Sequence, residues 1–167
     1  MSRTIAVVTG TRADYGLLRW LMHELRNRDG VELKVVATGT HFDPSFGVTW
    51  HAIRDDGFAI DARVEILNQD DSPLGVAFAT AEAVRGLAQA FSNLSPDLVV
   101  VLGDRYEILA AAEAAFLMRI PVAHLHGGEV TQGALDDGIR HAVTKLSALH
   151  FVAAEEYAAR VRQLGED

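Results

Sequence analysis

With 167 residues, 49% of them hydrophobic and 23% charged, the chain has the length of one domain and the composition of a globular one. It contains no cysteine, which excludes disulfides and thiolate metal sites, and its formal charge of −8 argues against a general nucleic-acid or anionic-membrane surface. The first apolar run, Ile5 to Val8, is too short for a secretory segment or a membrane span, so the cytoplasm is the expected setting.

The elements alternate along the chain. Thr4 to Thr9 is a short apolar run closed by Gly10, the pattern of a strand buried on both faces. Leu17, Leu18, Leu21, Met22 and Leu25 recur at helical spacing and predict a helix over Gly16 to Arg28. Val31 to Thr38 reads as a second strand, Asp43 to Asp56 as a looser helix weakened by Gly47, and Ala59 to Ile66 as a strand nearer the edge. Pro73 to Leu94 is a long alanine-rich helix with Ser72 placed as its N-cap and Pro73 at its first position. Asp97 to Leu102, Pro121 to Leu125 and Leu149 to Ala153 read as strands. Tyr106 to Met118, Leu135 to Ser147 and Glu155 to Leu164 read as the helices between and after them. This alternation predicts an α/β, doubly wound parallel sheet of Rossmann-like type.

Such sheets bind ligands at the carboxyl ends of their strands. Three strands here end in polar loops: Gly10 to Tyr15, Gly103-Asp104-Arg105, and His126 to Ala134. In the usual strand order they are neighbours, and their meeting line is the expected crevice. The richest stretch is His124 to His141, which holds three histidines, three carboxylates and an arginine directly behind an apolar run. Connections between strand and helix are ordinarily shorter and plainer.

The residue types point to a polar, phosphorylated substrate. Gly10 to Gly16 has neither the G-x-G-x-x-G spacing of a dinucleotide fingerprint nor the Gly-Lys-Ser/Thr of a Walker loop. What it offers is a helix N-terminus able to hold an anion through backbone N–H groups, with Arg12 beside it; the plain alternative is a tight turn with a solvated arginine. Asp104 suits both a helix cap and a catalytic carboxylate, and Arg105 either holds phosphate or pairs with Glu107. His124 and His126, two apart on a strand, would share a face, yet with Glu129 they lack a further ligand at zinc-like spacing, and no metal is expected. His124 is expected in the core, and His126, at the strand end, is the acid–base candidate. Helical geometry sets Asp136 close to the buried Ile139–Val143 stripe and makes it the crevice carboxylate, with Asp137 as cap or surface group. An i,i+4 pair with Asp136 is the plain reading of Arg140, and solvation that of Lys145.

With these motifs in place, the chain resembles the amino-terminal half of the hydrolysing UDP-N-acetylglucosamine 2-epimerases of sialic-acid and legionaminic-acid synthesis. The matching residues are Thr9 to Gly16, Thr38-Gly39-Thr40-His41, Gly103-Asp104-Arg105-Tyr106-Glu107 and His124 to Glu129. Asp136 to His141, Thr144-Lys145 and Gln163 to Glu166 continue the match to the end of the chain. The resemblance implies a two-domain GT-B-type enzyme in which residues 1–167 form the first domain and a carboxyl-terminal nucleotide-binding domain follows. It implies trans elimination of the nucleoside diphosphate to a 2-acetamidoglycal, then addition of water with inversion at carbon 2, without metal or redox cofactor. Carried over by motif, Asp104, His126 and Asp136 form the acid–base set, and Arg12 and Arg105 contact the diphosphate. Asp14, His41, Glu129 and Arg140 line or brace the site. Many members carry glutamate where His126 stands; the histidine form resembles the bacterial sialic- and legionaminic-acid branch. UDP or GDP, and hydroxyl or acetamido at carbon 4, are all compatible with this half. The alternatives are a non-hydrolysing 2-epimerase and a sugar-nucleotide-binding fragment without catalysis. A homo-oligomer built through the Pro73–Leu94 helix is also expected.

Overall fold

The computed structural model describes residues 2–66, 70–131 and 135–167. Six strands, β1 (Arg3–Thr9), β2 (Val31–Thr38), β3 (Ala62–Val64), β4 (Leu98–Leu102), β5 (Val122–Leu125) and β6 (Leu149–Phe151), form one sheet in the order β3-β2-β1-β4-β5-β6. Every pairing is parallel. The helices are α1 (Arg12–Arg26), α2 (Trp50–Asp55), α3 (Pro73–Leu94), α4 (Tyr106–Leu117), α5 (Asp136–Leu146) and α6 (Glu155–Gln163). The expected doubly wound α/β fold is therefore present, and the order places the ends of β1, β4 and β5 side by side.

Strand alternation divides the core in two. Ala6, Val8, Val36, Val99, Val101 and Val122 face α3, α4 and α5, where Leu87, Phe91 and Ile108 are almost wholly buried. Val7, Val35, Ala37, Val100 and Ala123 face α1 and α2 with Leu18, Met22 and Ile53. Burial of each such large side chain is worth about 1.5–3 kcal/mol, so the two clusters carry most of the driving force. The second face is only partly covered. Leu98, Val100, Ala123, Leu125, Leu149 and Phe151 line an apolar groove beside α1, and Phe151 is 57% exposed. β6 is thus an edge strand with an open face.

Local chemistry explains where the elements start. Ser72 caps α3 by accepting from Gly75 N, and Pro73 fills the first position, as read from the sequence. α1 begins at Arg12, four residues before its expected start at Gly16. Thr11 and Asp14 form a capping box that draws Arg12 to Tyr15 into the helix. The expected helix over Asp43 to Asp56 resolves into 3-10 turns at Gly39–Phe42 and Pro44–Phe46, followed by the short α2. Pro44 and Gly47, the latter in the left-handed region at φ 84°, break the helical path. β3 is shorter than its apolar alternation, because the Asp61 carboxylate takes the Val35 N–H at 2.8 Å just before β3 begins.

Candidate active site

The loop after β1 is braced from within. The buried Asp14 carboxylate accepts from Gly10 N at 2.8 Å and Thr11 N at 2.7 Å, and it also meets the hydroxyls of Thr9 and Thr11. Two of the backbone donors expected to cradle an anion are therefore already occupied by a side chain of α1. Arg12 opens α1 with its side chain exposed, and no hydrogen bond or ion pair holds it among the described residues. His41 is wholly buried, with Nε2 2.9 Å from Thr9 Oγ1 and Nδ1 2.9 Å from Thr49 Oγ1. Burial lowers its pKa against the opposing pull of Asp14, so it ties the ends of β1 and β2 together as a neutral ring.

The loop after β4 provides the central ion pair. The Arg140 guanidinium, 6% exposed, contacts the Asp104 carboxylate, 18% exposed, and Nη2 also donates to Thr131 Oγ1 at 2.8 Å. This single side chain links the β4 loop, the β5 loop and α5. The i,i+4 pair with Asp136 is absent: Arg140 instead lies 3.6 Å from Asp137 and reaches Asp104 thirty-six positions away. Burial and the neighbouring Arg160 lower its pKa, and the carboxylates of Asp104 and Asp137 are the counter-charges beside it. Arg105 is half-exposed, and its Nε donates to Glu107 Oε1 at 2.7 Å. Together Thr11, Asp14, Gly103, Asp104 and Arg105 line a cleft of about 180 Å³ that joins the first two loops.

The loop after β5 separates its two histidines. His124 is wholly buried, with Nε2 2.8 Å from Gly103 O and Nδ1 3.2 Å from Thr144 Oγ1. A carbonyl only accepts, so Nε2 carries the proton and Nδ1 receives the threonine hydroxyl. Burial pushes its pKa down to about 4. β5 ends at Leu125, and His126 sits in the left-handed region at φ 64°, so alternation no longer places it beside His124. Such a backbone costs on the order of 1–3 kcal/mol in a non-glycine residue, and it turns His126 out towards the strand end. There Nδ1 lies 2.6 Å from Glu129 Oε1. Glu129 thereby fixes the ring through Nδ1, and Nε2 has no hydrogen-bond partner among the described residues.

Gly128 makes this turn possible. It has φ 77°, and a Cβ there would stand 2.3 Å from Tyr157 O in α6. Gly128→Ala is expected to destabilise the chain by about 2 kcal/mol, through strain and a backbone clash. Urea unfolding measures this; an unchanged midpoint would mean that the α6 backbone yields.

Asp136 opens α5, half-buried, with no hydrogen bond or ion pair among the described residues. Asp137 is neither cap nor free surface group: the N-cap is Leu135, and Asp137 lies within 4 Å of Arg140, His141 and Arg160. Lys145 is not merely solvated either, since its ammonium meets Glu166 and donates to Leu164 O at 3.1 Å. Gln132, Gly133 and Ala134, the rest of the predicted third loop, lie outside the described residues. Among those described, no group of three or more His, Asp or Glu side chains has a metal-binding arrangement. Sequence reasoning gave Glu107 only as a partner for Arg105 and did not identify its complete burial.

Comparison with known proteins accords with this geometry. The family described as UDP-N-acetylglucosamine 2-epimerase matches residues 23–167. A hydrolysing GDP/UDP-N,N'-diacetylbacillosamine 2-epimerase of Campylobacter jejuni is 45% identical over 99% of the chain and 43% of its own length. The hydrolysing UDP-N,N'-diacetylbacillosamine 2-epimerase of Legionella pneumophila is 42% identical, covering 99% of the chain and 44% of its own length. The chain thus spans less than half the length of these relatives. Among solved structures, the UDP-GlcNAc 2-epimerase of Neisseria meningitidis bound to UDP-GlcNAc superimposes with a TM-score of 0.86 at 23% identity, covering 98% of the chain and 43% of that protein. The enzyme of Methanocaldococcus jannaschii in complex with UDP-GlcNAc and UDP gives 0.85 at 18% identity, covering 98% and 44%. At that identity the superpositions speak for the fold alone, that of the amino-terminal half of a GT-B-type enzyme. With a family match over most of its residues and relatives above 40% identity along nearly all of it, the chain belongs to the UDP-N-acetylglucosamine 2-epimerase family.

Proposed function

We propose that the chain is the amino-terminal domain of a hydrolysing nucleotide-sugar 2-epimerase whose second, nucleotide-binding domain follows residue 167. The substrate is UDP- or GDP-linked N-acetylglucosamine or a diacetamido analogue, and the products are the free 2-epimeric sugar and the nucleoside diphosphate. The observation that carries this reading is the meeting of Asp104, Arg140 and Thr131, which ties two strand-end loops and α5 at the carboxyl edge of the sheet. His126 stands at that same edge, in the loop directly after the adjoining strand β5.

The chemistry follows from the residue types. A base takes the weakly acidic proton from carbon 2 while the bond from carbon 1 to the diphosphate oxygen breaks. Both electron pairs are accounted for by the new carbon–carbon double bond and the departing anion. Water then adds its oxygen at carbon 1, and carbon 2 receives a proton on the opposite face. Asp104, His126 and Asp136 are the acid–base set, with His126 acting through Nε2 and oriented by Glu129. Arg12 and Arg105 meet the diphosphate and stabilise its growing charge. Asp14, His41 and Arg140 brace the loops that carry these groups. The residues named need neither metal nor redox cofactor for these steps.

A place in sialic- or legionaminic-acid synthesis in the cytoplasm fits the relatives' substrates, and among the described residues no helix is long and apolar enough to cross a membrane. Self-association through α3 is supported by Leu74 and Phe78, 63% and 65% exposed on its first half.

The test is turnover in D₂O, followed by proton NMR, with UDP- and GDP-linked sugars. The chain joined to the carboxyl-terminal region its relatives carry is expected to release free sugar bearing deuterium at carbon 2, and the isolated chain to release little or none. Product without deuterium overturns the elimination. A deuterated product still linked to nucleotide identifies the non-hydrolysing reaction, and robust release by the isolated chain overturns the need for a second domain.

A further inference from the structure

Glu107 takes no part in the steps above, yet it is the most completely enclosed acid near the cleft. It lies in the first turn of α4 and is wholly buried. One oxygen, Oε1, accepts from Arg105 Nε at 2.7 Å; the other, Oε2, is buried with no hydrogen-bond partner among the described residues. A carboxylate in that condition is costly to enclose, so stability alone does not account for it. An acid–arginine pair at the start of a helix ordinarily lies in solvent and holds neither partner in one place.

Two glycines make the enclosure possible. A Cβ on Gly10 would stand 2.7 Å from Glu107 Cγ. One on Gly39, at φ 59°, would stand 2.6 Å from Gly10 O and 3.2 Å from Glu107 Oε1. The ends of β1 and β2 are therefore bare where the carboxylate passes beneath them. Three segments distant in sequence are shaped around one oxygen that touches Arg105.

The arrangement at Arg105 is one-sided. Its inner nitrogen, Nε, is bound, while the terminal nitrogens have no hydrogen-bond partner among the described residues. The side chain is 49% exposed and forms part of the cleft wall with Thr11, Asp14 and Asp104. A guanidinium held by Nε keeps its plane fixed and presents two parallel donors, the geometry that matches two oxygens of a phosphate. A fixed donor pair also loses less freedom on binding than a mobile one.

We propose that Glu107 is a positioning residue that fixes the Arg105 guanidinium through Nε so that its terminal nitrogens meet the diphosphate of the nucleotide sugar. The inference rests on the reading of Arg105 as a diphosphate contact. Its action is indirect: Glu107 touches Arg105 and not the substrate.

The test is inhibition of the enzyme, carrying its carboxyl-terminal region, by the nucleoside diphosphate that the wild type releases, UDP or GDP. Glu107→Gln keeps the shape and removes the charge; it is expected to weaken inhibition about 10-fold, as is Arg105→Ala. The double variant is expected to be no weaker than Arg105→Ala alone, because Glu107 acts only through that side chain. A purely structural role would instead multiply the two effects, and that result overturns the proposal. Arg105→Lys covers the case in which Glu107→Gln does not fold. Lysine has one nitrogen to divide between carboxylate and diphosphate, so unaltered inhibition in Arg105→Lys also overturns it. If Arg105→Ala itself leaves inhibition unchanged, Arg105 is not a diphosphate contact. A wild-type protein that releases no diphosphate from any of the sugars removes the proposed function instead.

Discussion

Replacing Arg140 with methionine is expected to destabilise the chain by about 3–5 kcal/mol, the range for removing one partner of a buried ion pair. The cause is the carboxylate left behind. Asp104 has 18% of its side chain exposed, and Arg140 is its contact across 36 residues of sequence. Asp104→Asn is expected to cost less, since the guanidinium, only 6% exposed, keeps Asp137 as a second counter-charge at 3.6 Å. The informative result is the pair of changes together. Arg140→Met with Asp104→Asn removes both charges, and its stability is expected to return to within about 1 kcal/mol of the parent. Urea unfolding of the four proteins measures the coupling; additive losses would mean that the contact carries no mutual energy. In the protein with its carboxyl-terminal region, the double variant should stay inactive while folding normally. Stability and turnover would thereby be separated at one site, Asp104 serving the fold through Arg140 and, in the function proposed above, the chemistry through its own carboxylate.

Much of the fold was legible because its signals are local. The apolar runs of β1, β2, β4 and β5 and the Ser72-Pro73 start of α3 each follow from a few neighbouring residues, and alternation of strand with helix restricts the topology. The start of α1 was misplaced because the leucine spacing begins at Leu17, whereas the helix is initiated by the Thr11–Asp14 capping box, which the sequence also contained. That shift changed the chemistry of the loop, because Asp14 occupies the Gly10 and Thr11 amides.

The misread side chains share another cause. Helical spacing alone gave Arg140 a partner in Asp136 and made Asp137 a cap or surface group, and both found charges on other elements, Asp104 for one and Arg160 for the other. Lys145 likewise reaches Glu166, twenty-one residues on. Periodicity ranks neighbours along one helix but carries no information on charges brought in by a parallel strand or a following helix. His126 was placed on the face of His124 by alternation, but the strand stops one residue before it. Glu107 was invisible as a buried group because its enclosure depends on glycines nearly a hundred and nearly seventy residues earlier.

Below neutral pH the chain is expected to lose stability on the order of 3 kcal/mol through His124 alone, from the interval between its ordinary and folded pKa values. The ring is wholly enclosed, with Nε2 against Gly103 O and Nδ1 against Thr144 Oγ1, and burial holds the folded pKa near 4 against an ordinary 6.5. Nearby His150 and His126 push in the same direction, while the contact with Gly103 O opposes it. As pH falls through 6.5 the unfolded chain takes up a proton that the folded chain refuses, so unfolding becomes easier at each step. The loss accumulates down to about pH 4, where the folded ring is protonated as well, and changes little further below. His41, also depressed by burial, adds to the same slope. Carboxylates titrating below about pH 5 overlap the lower part of this window, so the comparison must be with a variant that lacks only this proton. His124→Gln retains a donor for Gly103 O and an acceptor for the Thr144 hydroxyl. It is expected to be less stable than the parent at pH 7.5 but to lose less on acidification, so that the two curves converge towards pH 4.5. If unfolding free energies measured at intervals across this range stay parallel, His124 is not the group whose protonation the fold resists.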